Sequence, residues 1–343
     1  MEFVDCAANW LGKDIENSDD WIHYFSTHEI NEIKGALSDA ESSIVSLSQL
    51  TRDNFRLPGL SQVFAQMQIE LEEGLGIKLL RGLPVSDFSE DQLRLIYWGM
   101  GLHLGTAVSQ SKRNDYLGDV RDLGTGLNGP EFRGYTSNGE LTYHVDAADI
   151  TGLFCLKPAK EGGLSKIISS AAVHNEILKR NRDLLQTLYQ EYPWSMQGNE
   201  LPGHSGFYTQ PIFAIEKGYF ACRYTRTHIR SAEMNPEIEG LSSKQTEALK
   251  LIDEICKQPE FNLTMMFEPG DIQFLNNHLT MHTRTAFIDF DDESQKRHLL
   301  RLWLSMPNGR PLSQGFKPFF GDVSEGAVRG GFSGLGERLY KTT

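Results

Sequence analysis

The sequence lacks the marks of a zinc knuckle or a disulfide scaffold. Its four cysteines, Cys6, Cys155, Cys222 and Cys256, lie far apart and form no C-x-x-C pair. They read as reduced thiols of a cytoplasmic protein. No stretch approaches the ~18 apolar residues of a membrane span. The opening MEFVDCAANWLGKD carries Glu2 and Asp5 in place of a basic segment followed by an apolar one, so no secretory signal is read there. Positive charge is also short. Lys+Arg number 33 against 46 Asp+Glu, a net of −13. That excludes a broad surface for nucleic acid or anionic lipid, though a few local arginines can still dominate one pocket. There is no internal repeat, low-complexity tract or linker. The expectation is one domain over 1–343, taking a small-molecule partner and neither nucleic acid nor membrane.

What remains is ordinary globular composition, 39% hydrophobic and 23% charged. Residues 1–75 read as a mostly helical extension, with helix starts at Asp19-Asp20 before WIHYF and at Thr27-His28-Glu29 before INEIKGAL. Helices of this kind offer a surface for a homodimer. IKLLRGLP (77–84) reads as a strand, and Ser89-Glu90-Asp91 caps a helix through LRLIYWGMGLHLG. After residue 104, short apolar runs alternate with Gly, Asn, Asp and Pro. FYTQPIFAIEKGYFACRYT reads as a hairpin turning at Glu216-Lys217-Gly218. Helical periodicity returns at 171–190 and 242–258. Many short strands with inserted helices predict a mainly β, α+β fold, a β-sandwich or jelly roll with helical packing, whose core spans 76–310. The Gly-rich tail 311–343 reads either as a mobile surface segment or as a lid over a pocket.

Among short motifs, GTGLNG (124–129) matches G-x-G-x-x-G, but Pro130 and EFRGYTSNGE follow it where a phosphate-binding helix would have to start. It is set aside. Two H-x-[DE] matches exist, and about one is expected by chance, so context decides. His174 and Glu176 lie in a helical segment, where i and i+2 diverge, and read as surface. His144 and Asp146 lie in LTYHVDAADI, at a strand end, where i and i+2 share a face and can chelate one ion. An imidazole with a carboxylate suits Fe(II), Mn(II) or Zn(II). NNHLTMHTRTAF then offers His278 or His282 as a third ligand, and spacing does not choose between them. The absent Glu excludes H-E-x-x-H. In RHLLRLWL, Arg297, Arg301 and Trp303 project to one face of a strand. Buried unpaired charge is costly, so that face is either solvent or an anion site.

Together these pieces resemble the taurine dioxygenase-like (TauD/TfdA) family of Fe(II)- and 2-oxoglutarate-dependent oxygenases, over roughly residues 75–310. The features, in order, are His144-x-Asp146, Gly162-Gly163-Leu164-Ser165, His282, and Arg297-x-x-x-Arg301. The resemblance implies a double-stranded β-helix with helices outside, and an Fe(II) triad of His144, Asp146 and His282. It prefers His282 over His278 because the family places its 2-oxoglutarate arginine about fifteen residues after the distal histidine. Arg297 would then bind the far carboxylate of 2-oxoglutarate, with Ser165 as its hydroxyl partner. The implied chemistry consumes O2, releases succinate and CO2, and oxidises an unactivated C–H by hydroxylation, desaturation or ring closure. Asp146 is the carboxylate that related iron halogenases lack. Arg301 sits where some relatives hold a substrate acid, which suggests an amino acid or another carboxylate or sulfonate; its other reading is support for Arg297.

Tyr135, Asn138 and Gln110 are further substrate-contact candidates beside Arg301 and Trp303. Asn276 and Asn277 are candidates to orient a ligand. The competing readings are a jelly-roll metal hydrolase that does not use 2-oxoglutarate, and a binding protein on a degenerate oxygenase fold. The intact triad and arginine stand against the latter.

Overall fold

A computed structural model describes residues 2–43, 47–124 and 136–334. In it two β-sheets face each other, and helices cover both outer surfaces. The larger sheet runs in the order Ile22–Tyr24, Ile77–Arg81, Ile272–Asn276, Ile150–Lys157, His298–Ser305, Thr106–Ala107, with Leu117–Val120 also paired to the 298–305 strand. The smaller sheet places Ser165–Ser169 between Leu263–Met265 and Thr280–Arg284. This is the jelly-roll architecture the resemblance implies.

Alternation along the strands decides which side chains meet where. Leu80, Ile272, Phe154 and Leu300 form one cross-strand row of the larger sheet. They pack outward with Leu302 and Leu304 onto the helices Thr27–Ser43, Ser61–Glu73 and Glu90–Leu104. Each such side chain, fully buried, contributes about 1.5–3 kcal/mol. The adjacent row, Leu79, Gln273, Leu153 and Arg301, turns inward. There Ile77, Leu79 and Leu275 meet Ile167 and Leu263 of the smaller sheet. The outer side of the smaller sheet, with Ile168 and Met281, packs on Ser170–Arg180, Arg182–Leu188 and Ser243–Cys256. Polar groups on the inner rows therefore sit between the sheets.

Local chemistry explains most element ends. Ser89 and Gln92 form a reciprocal capping box at 90–104. The 27–43 helix starts at Thr27, and its cap is Ser26, whose N–H and hydroxyl both donate to Glu29. The hairpin turn puts Lys217 and Gly218 at φ 49° and 87°, as a two-residue hairpin with both central residues left-handed requires. Three expectations are corrected. WIHYF is no helix: Ile22–Tyr24 is a strand parallel to Ile77–Arg81, because pairing with that strand outweighs the Asp-Asp cap signal. The 171–190 helix breaks at Asn181, whose side chain accepts the N–H groups of Asp183 and Leu184 and so restarts it. His174 is buried, not on the surface, between Asn175 and the Tyr189 hydroxyl.

The described part of the C-terminal tail is packed. Phe316 and Phe320 cluster with Ala214 and Ala221, and Phe332 lies against Trp303. Among the described residues no helix is long and apolar enough to cross a membrane.

Candidate active site

The 144–146 segment is tied to the smaller sheet by main-chain bonds. His144 and His282 exchange both N–H···O bonds, at 3.0 and 2.9 Å, as an antiparallel bridge, and His144 also bridges Thr225. Partners across such a bridge point to one side, and the two rings lie 4.4 Å apart. His144 Nδ1 donates to the Thr142 carbonyl at 2.8 Å, which leaves the Nε2 lone pair free. Asp146, two residues on, shares that side. Its Oδ2 is 4.0 Å from His282 Nε2, and one ligand atom of each of the three residues lies within 4.8 Å of the others.

The Asp146 carboxylate is held from several directions. Oδ2 accepts from the Thr151 hydroxyl at 2.8 Å and from the Trp303 indole N–H at 3.0 Å. Arg301 Nη1 lies 3.6 Å from Oδ1. The Asp146 N–H donates to the Asn277 side chain at 3.0 Å. Burial alone would raise its pKa, but Arg301, the two histidines and the Thr151 hydroxyl outweigh burial and hold it well below the usual carboxylate range. Burial and neighbouring His144 push His282 down to about 3, so its ring is neutral. His282 Nδ1 is buried with no hydrogen-bond partner among the described residues. One ionised carboxylate and two imidazoles on one side of a bridge fit a 2-His-1-carboxylate iron site.

Arg297 and Ser165 lie on the inner side as well. The guanidinium of Arg297 sits 5.1 Å from the Phe287 ring centroid, and Nη1 is buried without a partner among the described residues. Burial lowers its pKa to about 10, so it is a buried cation at neutral pH. The Gly-Gly pair lets the chain approach it. A Cβ on Gly162 (φ 73°) would come 2.3 Å from the Ala286 carbonyl oxygen, and one on Gly163 (φ 70°) would lie 3.4 Å from Arg297 Nε. Two residues on, Ser165 donates to Gln273 Oε1 at 3.2 Å.

The structure joins Gln110 to this assembly. Arg301 Nε donates to Gln110 Oε1 at 2.7 Å, and Gln110 Nε2 donates to the carbonyls of Arg301 and Tyr116 at 2.8 and 3.0 Å. Arg301 lies over the Trp303 ring at 4.9 Å. The face carrying Arg297, Arg301 and Trp303 is thus interior, not solvent.

Other candidates fall elsewhere. Asn138 is exposed, and among the described residues its carbonyl accepts from the Phe287 N–H at 3.0 Å while its side chain reaches none of the site residues. Tyr135 and most of the GTGLNG motif lie outside the described residues. His278 donates to Asp149 at 2.8 Å, away from the triad. Of the two asparagines, Asn277 holds the Asp146 N–H, whereas Asn276 donates to the Leu71 carbonyl and Glu72. Sequence reasoning missed Thr151 and Arg223. Buried Arg223 donates to the carbonyls of Val145 and Asp146 at 3.1 and 3.0 Å. The available signal was a lone arginine in the apolar hairpin strand FACRYT. A second acid–histidine cluster, Glu90, Asp119 and His298, is threaded by Arg94, which pairs with both acids.

A sequence model of the taurine catabolism dioxygenase TauD, TfdA family matches residues 46–303. The chain belongs to this TauD/TfdA family. It is 33% identical over 310 residues to FR-33289 synthase of Streptomyces rubellomurinus, covering 88% of this chain and 90% of that protein. It is 27% identical over 307 residues to the taurine hydroxylase-like protein SAT17 of Stachybotrys chartarum, covering 85% and 77%. A solved asparagine oxygenase in complex with Fe(II), 2S,3S-3-hydroxyasparagine and succinate shares the fold, with TM-score 0.64 at 15% identity over 83% of this chain and 94% of that one. As a TauD/TfdA member the chain is a non-haem Fe(II)- and 2-oxoglutarate-dependent dioxygenase.

Proposed function

We propose that His144, Asp146 and His282 hold the Fe(II), that Arg297 and Ser165 bind the far carboxylate of 2-oxoglutarate, and that Arg301 receives an acidic group of a small-molecule substrate. The convergence of His144, Asp146 and His282 carries the reading. Arg297 supports the cosubstrate assignment, since a buried guanidinium with no carboxylate partner among the described residues is strongly unfavourable until an anion reaches it. A guanidinium matches a carboxylate bidentately. Arg301 is already oriented by Gln110 and lies beside the metal ligands, where an acid on the substrate would be positioned for attack at a nearby carbon. The hydroxyasparagine complex of the fold neighbour supports an amino acid or similar carboxylate.

Bound together, Fe(II) and 2-oxoglutarate couple O2 reduction and loss of CO2 to oxidation of a substrate C–H bond. The chain's own part is positional. Thr151 and Trp303 fix the orientation of the Asp146 carboxylate, and the Thr142 carbonyl fixes the His144 tautomer. Arg297 neutralises one end of the cosubstrate, with the Phe287 ring covering its guanidinium.

The test is an anaerobic titration with Fe(II) and 2-oxoglutarate, following the weak visible charge-transfer band of the chelate. A band that appears in the wild type and is lost in His282→Ala and Arg297→Ala supports the assignment. A band that survives His282→Ala but not His278→Ala overturns the choice of ligand, and no band in an iron-loaded wild type overturns the reading.

A further inference from the structure

The segment Val328–Gly334 packs against the 147–149 stretch through its backbone and its two buried side chains, Arg329 and Phe332. Gly331 N–H donates to the carbonyl of Ala147, the residue after Asp146, at 2.6 Å, and Phe332 N–H donates to the Ser109 carbonyl, next to Gln110, at 2.9 Å. Two left-handed glycines make this approach possible. A Cβ on Gly330 (φ 78°) would come 2.8 Å from the Ala147 carbonyl oxygen, and one on Gly331 (φ 67°) would come 2.6 Å from the Ser109 carbonyl oxygen. No other residue fits there without moving backbone.

Arg329 pins the segment from the other side. It is buried, and its Nε donates to Asp149 at 2.8 Å while Nη2 and Nη1 donate to the carbonyls of Arg310 and Ser324 at 2.7 and 3.1 Å. Asp149 is three residues beyond Asp146 and also accepts from His278 and the Met306 N–H. So pinned, Phe332 presents its ring to Trp303 at 6.2 Å and to Phe319 at 5.7 Å, within an apolar cluster that includes Ala147 and Ala148. Trp303 is the indole that donates to Asp146 Oδ2.

We propose that Val328–Gly334 is a strap that sets the Asp146 carboxylate, with Phe332 a positioning residue acting through Trp303. This rests on the reading of Asp146 as an iron ligand. Two connections serve it: the main-chain bond to Ala147, and the ring that backs the indole. Groups that orient a metal ligand typically change metal affinity 10–100-fold when removed.

The test measures Fe(II) affinity anaerobically by calorimetry, with the metal alone and no turnover. Phe332→Ala is expected to weaken Fe(II) binding about tenfold, and Phe332→Leu, which keeps an apolar backing, by less than about threefold. In a Trp303→Phe background, Phe332→Ala is expected to add less than about twofold, because the ring acts through the indole. Gly331→Ala, which displaces the strap and keeps the ring, is expected to weaken binding about as much as Phe332→Ala, and it carries the test if Phe332→Ala does not fold. A folded Phe332→Ala or Gly331→Ala protein with wild-type Fe(II) affinity overturns the proposal, as do effects of Phe332→Ala and Trp303→Phe that simply multiply. Fe(II) binding by the wild type with no response to Asp146→Ala overturns the ligand assignment itself.

Discussion

Replacing Arg297 by methionine separates the cost of a buried charge from its use. Arg297 is 4% exposed, and burial lowers its pKa from 12.5 to about 10. That difference corresponds to about 3 kcal/mol of folding free energy set against the charged form. The folded value lies below the unfolded one, so the penalty is fully present below pH 10 and fades only as the pH rises from there toward 12.5. Methionine removes the penalty and forfeits the guanidinium contact with Phe287, worth about 1 kcal/mol. Without 2-oxoglutarate the variant is therefore expected to be more stable than the wild type by about 2 kcal/mol, a rise of a few degrees in Tm.

Adding 2-oxoglutarate offsets that gain. At 100 times its Kd a ligand stabilises the protein by about 2.7 kcal/mol. Removing one partner of a buried charge pair costs about 2–5 kcal/mol, which raises the Kd by about 30-fold to several thousand-fold. At 100 times the wild-type Kd, the variant is expected to keep a stabilisation of no more than about 0.9 kcal/mol. The assay is thermal unfolding under nitrogen with Fe(II), with and without 2-oxoglutarate. A variant that is less stable without the cosubstrate, or one that 2-oxoglutarate stabilises as much as the wild type, refutes the reasoning.

Two further outcomes are expected. Gln110→Leu removes the acceptor for Arg301 Nε and two bonds to carbonyls; KM for an acidic substrate should rise about tenfold while 2-oxoglutarate affinity holds, and an equal loss in both would place Gln110 in a merely structural role. For His278, burial lowers the pKa from 6.5 to about 4 despite the Asp149 partner. The unfolded chain then binds more protons between those values, so stability falls by about 3 kcal/mol as the pH drops from 6.5 to 4. His278→Gln, which keeps a donor for Asp149, should flatten that slope in urea unfolding at pH 7, 6 and 5; an unchanged slope rules His278 out as its source.

Much of the geometry of the candidate site was legible because its parts lie in or beside extended chain, where spacing translates directly into facing. The i, i+2 pair His144 and Asp146 and the i, i+4 pair Arg297 and Arg301 keep their faces whatever the rest of the chain does. The same rule left His278 and His282 equivalent, and the structure separates them by a feature that spacing does not carry. His282 lies in the ladder that pairs with His144, while His278 precedes that ladder and turns to Asp149. Local chemistry at the ends of helices was readable too, as at Ser89, whereas the strand Ile22–Tyr24 was hidden because its reason is a partner 57 residues away.

What spacing names without placing, as with Asn277 and Trp303, or misses outright, as with Thr151, is the set of groups that reach Asp146. Thr151, Asn277 and Trp303 converge on one residue, and the Gly330-Gly331-Phe332 stretch looks like a flexible tail until its contacts with Ala147 and Ser109 are known. A glycine pair signals freedom in isolation and close approach in context. Thr151 and Trp303 can meet at one carboxylate because they are cross-strand neighbours and Asp146 enters between the sheets beside them. Had the strands 150–157 and 298–305 slipped by one residue, Trp303 would face the helices and its bond to Asp146 would be lost. The register of the larger sheet therefore specifies the carboxylate's orientation as firmly as the triad residues specify its identity.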